Sequence, residues 1–186
     1  APVPDVGHQT GAQAVRWVDG VPEALKDNEG RALTAAWACN ADCEIVYGTD
    51  TNGVPLESAP INQPWFWTAD GHFGRLDGLG FDGGSVHILA ETTADGTMVL
   101  GTSNFPGFPT VGPVPADGVF LWTQATGTVY LDALLEQLDL IDDPEALRGY
   151  GAIALSANGQ HVLLWQFDSR IRPVVLTLNP RRLVER

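Results

Sequence analysis

The two cysteines, Cys39 and Cys43, are the residues whose spacing defines a chemistry most sharply in this chain of 186 residues. They flank the turn Asn40-Ala41-Asp42, and at the place of Cys43 two comparable turns carry Gly96 and Gly159. A side chain therefore stands where a left-handed backbone favours glycine, and a covalent link to Cys39 would hold it there. The expected state is a Cys39–Cys43 disulfide, which an even cysteine count in an exported chain also favours. Zinc would need more ligands with a histidine near, and the spacing is not the Cys-x-x-Cys of redox centres.

The other reactive side chains form no signature. His8, His72, His87 and His161 are scattered, and the last two fall in half-buried strand patterns, where a hydrogen-bonded structural histidine is the ordinary occupant. There is no His-x-x-x-His, Gly-x-Ser-x-Gly or phosphate-binding glycine loop, and Gly78-Leu79-Gly80 does not open a helix after a strand. Asp50-Thr51-Asn52-Gly53 with Glu57 has the start of a calcium loop but too few oxygen ligands. Asp139, Asp142 and Asp143 are explained by helix capping and solvation, with calcium the sharper alternative. The expectation is a chain that is not an enzyme, with no catalytic residues, cofactor or metal. Binding has a better foothold in Asn104-Phe105-Pro106-Gly107-Phe108-Pro109. There Phe105 and Phe108 stand on a Pro-stiffened loop suited to a sugar ring or a protein partner, unless the rings fold down over a strand edge.

Positioning these groups falls to a repeat. A short apolar-aromatic strand recurs as Ala14-Val15-Arg16-Trp17, Pro64-Trp65-Phe66-Trp67-Thr68, Val119-Phe120-Leu121-Trp122-Thr123 and, more weakly, Pro173-Val174-Val175-Leu176-Thr177. From Trp17 to Trp67, Trp122 and Leu176 the steps are 50, 55 and 54 residues. A fixed period is a stronger guide to fold than local propensity. Between the copies, alternating strands meet at Asn40-Ala41-Asp42-Cys43, Thr93-Ala94-Asp95-Gly96 and Ser156-Ala157-Asn158-Gly159, where Asp-Gly and Asn-Gly predict type I′ hairpins. Each repeat reads as four strands, at about 12–63, 64–117 and 118–171, with a closing strand at 172–178, all in one domain of 1–186. Repeat three is longer, and Leu131, Leu134, Leu135 and Leu138 at i, i+3, i+4, i+7 predict a short helix there. Asp143-Pro144-Glu145 predicts a second helical turn through Leu147. Trp17, Trp67 and Trp122 are expected in the core.

Repeat three, from Val119-Phe120-Leu121-Trp122-Thr123 through the leucine-rich insertion to Ala154-Leu155-Ser156-Ala157-Asn158-Gly159, resembles the bacterial extracellular repeats called HAF. Repeat two, from Phe66-Trp67-Thr68 to Gly101-Thr102-Ser103, is similar to the same pattern, and the likeness covers most of residues 12–178. Repeat one departs from it, with Cys43 for the turn glycine and no Thr after Trp17. The resemblance implies secretion and a propeller-like array of four-stranded blades, and it carries no catalytic residue. The predicted fold is all-β and propeller-like, with a β-trefoil or β-prism as the alternative. Closure is the physical difficulty, because a propeller ring takes about 4 to 8 blades. Unpaired terminal strands are templates for another chain. Ala14, Val15 and Trp17 at one end and Val174, Val175 and Leu176 at the other are therefore the candidate inter-chain strands, unless they pair with each other in one monomer.

Composition narrows the partners. With 44% hydrophobic and 18% charged residues the chain should fold, and 21 Gly with 13 Pro favour many turns between short strands. A net charge of -13 disfavours nucleic acid and anionic lipid, and no apolar run approaches the roughly 18 residues of a membrane span. The start at Ala1, without Met, fits a mature exported protein as well as an excised segment. The expected function is a secreted, non-catalytic structural or adhesive module that self-associates by strand pairing between chains. The alternative is a lectin-like module with a glycan as partner. A hydrolase ranks last, since no carboxylate pair recurs at a defined spacing.

Overall fold

In the computed structural model, which describes residues 13–50, 63–77, 87–103, 118–137, 141, 147, 149–166 and 173–178, the alternating segments form thirteen strands and one helix. A first sheet pairs only β1 (Val15–Val18) and β2 (Val21–Ala24). The second sheet runs β3 (Ala35–Cys39), β4 (Ile45–Asp50), β5 (Gln63–Thr68), β6 (Phe73–Arg75) in that order. The third repeats it with β7 (His87–Thr92), β8 (Met98–Ser103), β9 (Gly118–Thr123) and β10 (Gly127–Tyr130). After α1 (Leu131–Gln137), the fourth has three strands among the described residues, β11 (Tyr150–Leu155), β12 (His161–Gln166) and β13 (Pro173–Thr177). All pairings are antiparallel. The protein is all-β apart from this single described helix.

Thirteen strands are three fours and one, as the repeats require, but the sheets are cut at another phase. Each complete sheet joins the hairpin of one repeat to the Trp strand of the next, so β13 is the third strand of its own sheet, not a strand that closes on the first. Leu131, Leu134 and Leu135 are buried on α1, as its spacing predicts. Of the second helical turn only Leu147 is among the described residues. The sheets remain separate and stack face to face, where a trefoil would share one barrel among its repeats.

Period-2 alternation gives every strand of the stack two faces, and both must be covered. Trp65 and Trp67 of β5 face the first sheet, where they pack with Ala14, Leu25, Leu33 and Val46. Phe120 and Trp122 of β9 face the second sheet, against Tyr47, Leu76, Leu89 and Phe66. Val119 and Leu121, on the other face of β9, join Leu155, Val162 and Leu164 of the fourth sheet and the α1 leucines. Strand β8 is buried at every residue. The leucine that follows β2, β6 or β10, namely Leu25, Leu76 or Leu131, is fully buried in every copy. The first strands of the second, third and fourth sheets lie close across the sheets, β7 being near both β3 and β11.

Several large aromatics have a glycine as cross-strand partner. Gly48 lies opposite Trp65 and Gly74 opposite Phe66, so the ring lies across the bare backbone of the neighbour, as in the aromatic cover of strand glycines. A Cβ on Gly48 would collide with the Trp65 ring and the carbonyl oxygen of Ala35. Gly48→Ala is therefore expected to destabilise the fold by about 1–3 kcal/mol, the cost of overpacking, read as a lower urea midpoint with an unchanged slope. A neutral result would mean that the Trp65 ring does not occupy this place.

Candidate functional site

The three hairpin turns are built alike. In each, the first residue accepts from the amide five residues on: Asn40 Oδ1 from Ile45 N (2.9 Å), Thr93 Oγ1 from Met98 N (3.1 Å) and Ser156 Oγ from His161 N (2.8 Å). In each, the third residue accepts from the amide two residues on, at Asp42, Asp95 and Asn158. Only the fourth residue has positive φ, at 55° for Cys43, 70° for Gly96 and 69° for Gly159. The turns are therefore type I turns followed by one left-handed residue, not the expected type I′. Asp19 and Gly20, between β1 and β2, are the adjacent pair that does have positive φ at both positions.

Cys39 and Cys43 form the expected disulfide, with Cα atoms 4.9 Å apart. Crowding explains why only this turn dispenses with glycine. A Cβ on Gly96 would lie 2.8 Å from Ile45 Cδ1 and 3.0 Å from Asn40 Cβ of the preceding hairpin, and one on Gly159 3.2 Å from Thr93 Cγ2. No turn of this kind precedes Cys43 among the described residues. The turns are also linked by backbone hydrogen bonds: Ala41 N donates to Ala94 O at 3.0 Å, and Ala94 N to Ala157 O at 2.9 Å.

Beneath these turns a cleft of about 520 Å³ opens between the second and third sheets, lined by Tyr47, Phe66 and Trp122 below and by Asp95, Thr97 and Asn158 at the mouth. Its aromatics are occupied by packing. Trp122 is 4% exposed, meets Phe66 at 5.7 Å and Tyr47 edge-on at 6.1 Å between centroids, and donates Nε1–H to Asp77 at 2.9 Å. Tyr47 donates its hydroxyl to Gly96 O at 2.6 Å, and burial, helped by the Asp95 charge, pushes it up to about 12. The Thr93 hydroxyl and the Thr97 amide, both donating to Asp95, hold its carboxyl below the ordinary range. No group of three or more metal-ligating side chains occurs among the described residues.

The terminal strands stand differently from the cleft. β1 pairs with β2 and β13 with β12, so the two ends do not pair with each other. Each keeps one edge without a described strand. Ala14 is buried, and Val174 and Leu176 turn inward against the neighbouring sheet. Val15, Trp17 and Val175 turn outward, Trp17 at 69% exposure and Val175 at 65%. Trp67 and Trp122 are core residues as expected, but Trp17 is not. It occupies their position in a sheet that has no described layer on that side. Phe105, Phe108, Glu57, Asp139, Asp142, Asp143 and His8 lie outside the described residues. The exposed Ile153 and Trp165 of the fourth sheet were not legible as candidates. Compared with protein-family models, curated proteins and solved structures, the chain matches nothing in any of the three.

Two outcomes follow from the turns. The double substitution Cys39→Ala with Cys43→Gly, which gives the first turn the residue of the other two, should melt higher than Cys39→Ala with Cys43→Ala. The left-handed alanine costs about 1–2 kcal/mol that glycine does not. Asp95, whose carboxyl is depressed by its hydrogen bonds, contributes stability above its unfolded value of 3.8 that is lost as pH falls through the lower folded value. Asp95→Asn keeps the acceptor, as Asn158 does in the third turn. Its urea midpoint should therefore match the parent near neutrality and fall less steeply below about pH 4; an identical acid limb would remove Asp95 from the acid response.

Proposed function

We propose that the protein is a non-catalytic structural module that works by associating with further copies of itself, through strand addition at its incomplete terminal sheets. The observation that carries this reading is the fourth sheet. Among the described residues it ends at β13, where the second and third sheets add β6 and β10, and the edge of β13 without a described neighbour runs through Val174, Val175 and Leu176 with no charged residue. An apolar edge of five residues is a template for a strand of another chain. The likeness to the extracellular HAF repeats supports an adhesive or cell-surface setting, and the Cys39–Cys43 disulfide supports an oxidising compartment. No helix among the described residues is long and apolar enough to cross a membrane. The lectin-like alternative depends on Phe105 and Phe108.

Light scattering across a concentration series tests the reading. The expected result is a mass that rises with concentration above that of one chain. With a net charge of -13 on every copy, the association should strengthen as salt screens their repulsion. A single-chain mass at every concentration and ionic strength would refute it, and would move attention to glycan binding.

A further inference from the structure

Exposed large hydrophobic residues are concentrated at the two ends of the stack. Among the described residues there are eight, and seven belong to the terminal sheets: Val15, Trp17, Val18 and Val21 in the first, and Ile153, Trp165 and Val175 in the fourth. The eighth, Trp37, is the extra residue of a bulge in β3, as Ile153 is in β11, and donates its Nε1–H to Thr49 at 2.7 Å.

The strand register shows what these positions do inside the stack. Pairing with Val46, Val99 and Val162 aligns Trp67, Trp122 and Leu176. Trp17 pairs with Pro22 as Trp67 pairs with Phe73, and so belongs to the same set. The residue before each of these, Arg16, Phe66, Leu121 or Val175, faces the opposite way. At the first internal interface the Arg16 guanidinium lies 4.6 Å from the Trp67 ring centre. At the second, Phe66 meets Trp122 at 5.7 Å. At the third, Leu121 and Leu176 share one cluster. One contact thus recurs three times, between the forward-facing residue of a sheet and the backward-facing residue of the next. Two residues are left over: Val175 faces forward with no described sheet ahead of it, and Trp17 faces backward with none behind.

We infer that the fourth sheet of one copy stacks face to face on the first sheet of a second copy, with Val175 against the second copy's Trp17. This rests on the self-association reading, and it makes the sheet faces the part of the contact without which the strand edges alone do not hold two copies together. The interface continues one that the chain already forms three times. Trp165 and Val175 supply one side, and Val15, Trp17 and Pro22 the other. The two sides differ, so the contact is head-to-tail and leaves a free face at each end of any open assembly.

A complementation experiment by light scattering separates the possibilities. Trp17→Glu and Val175→Glu each spoil one face, and both residues are exposed, so each variant should unfold at the parent temperature; Trp17→Gln and Val175→Thr are the milder pair if either does not. The expected result is an associating parent, single-chain particles for each variant alone, and two-chain particles and nothing larger for the equimolar mixture. The mixture holds one intact Val175 face and one intact Trp17 face. Variants that associate like the parent, or a mixture that stays at one chain, would overturn the stacking while leaving association through edges in place. A parent that is monomeric throughout would overturn both readings.

Discussion

A sheet with two apolar faces is stable only between two neighbours, and the architecture follows from that requirement. β8 shows it most directly, since Val99 packs toward the second sheet while Met98 and Leu100 pack toward the fourth. Such a strand has no solvent side, so neither layer can be removed without exposing a complete set of side chains. Burying one large apolar side chain is worth roughly 1.5–3 kcal/mol. Each interface gathers several of them, with Trp65, Phe120 and the leucines at 25, 76 and 131 at the bottom. The sheets are individually small, and it is this shared burial that makes them one structure.

Close stacking imposes conditions on the backbone that the side chains then meet. Large rings fit between sheets because glycine faces them across the strand, as at Gly48 under Trp65 and Gly74 under Phe66. The hairpin ends are drawn together by the Ala41, Ala94 and Ala157 backbone bonds. That proximity demands glycine at 96 and 159 for space as well as for φ. At 43, where no such turn precedes among the described residues, a cysteine tethered to Cys39 meets the φ. The disulfide therefore stands at the first described turn of this kind, which ties a covalent feature of the sequence to its place in the series.

Much of this was legible in the sequence because period and alternation are local properties. The Trp strands, the hairpins, the thirteen-strand count, the α1 leucines and the disulfide all follow from spacing and from turn residues. The buried leucines 25, 76 and 131 had a signal that could have been used, since each lies eight or nine residues after the Trp of its repeat. What spacing does not contain is whether a neighbouring layer exists. Trp17 has the pattern of Trp67 and Trp122, and its exposure depends on a sheet elsewhere, not on anything within Ala14-Val15-Arg16-Trp17. The phase of the sheets was hidden for a related reason, because a repeat can be cut at any strand without changing its period.

The free edges also differ in how they are guarded. β6 is three residues long and ends in Arg75, and the chain leaves β10 directly into α1, which packs against it and β9. Short length, charge and a covering helix are the ordinary means of keeping an edge from pairing. β13 has five residues, no charge, and only Pro173 at its start to discourage a partner. The first sheet shows a similar contrast on its faces. Its inner face carries the Arg16 to Glu23 pair at 2.6 Å, while the outer face offers Val15, Trp17 and Pro22 without a charged residue. Among the described residues, protection is thus present at the edges of the four-stranded sheets and weak at those of the other two. That is the distribution expected if the ends of the stack are where another molecule is meant to sit.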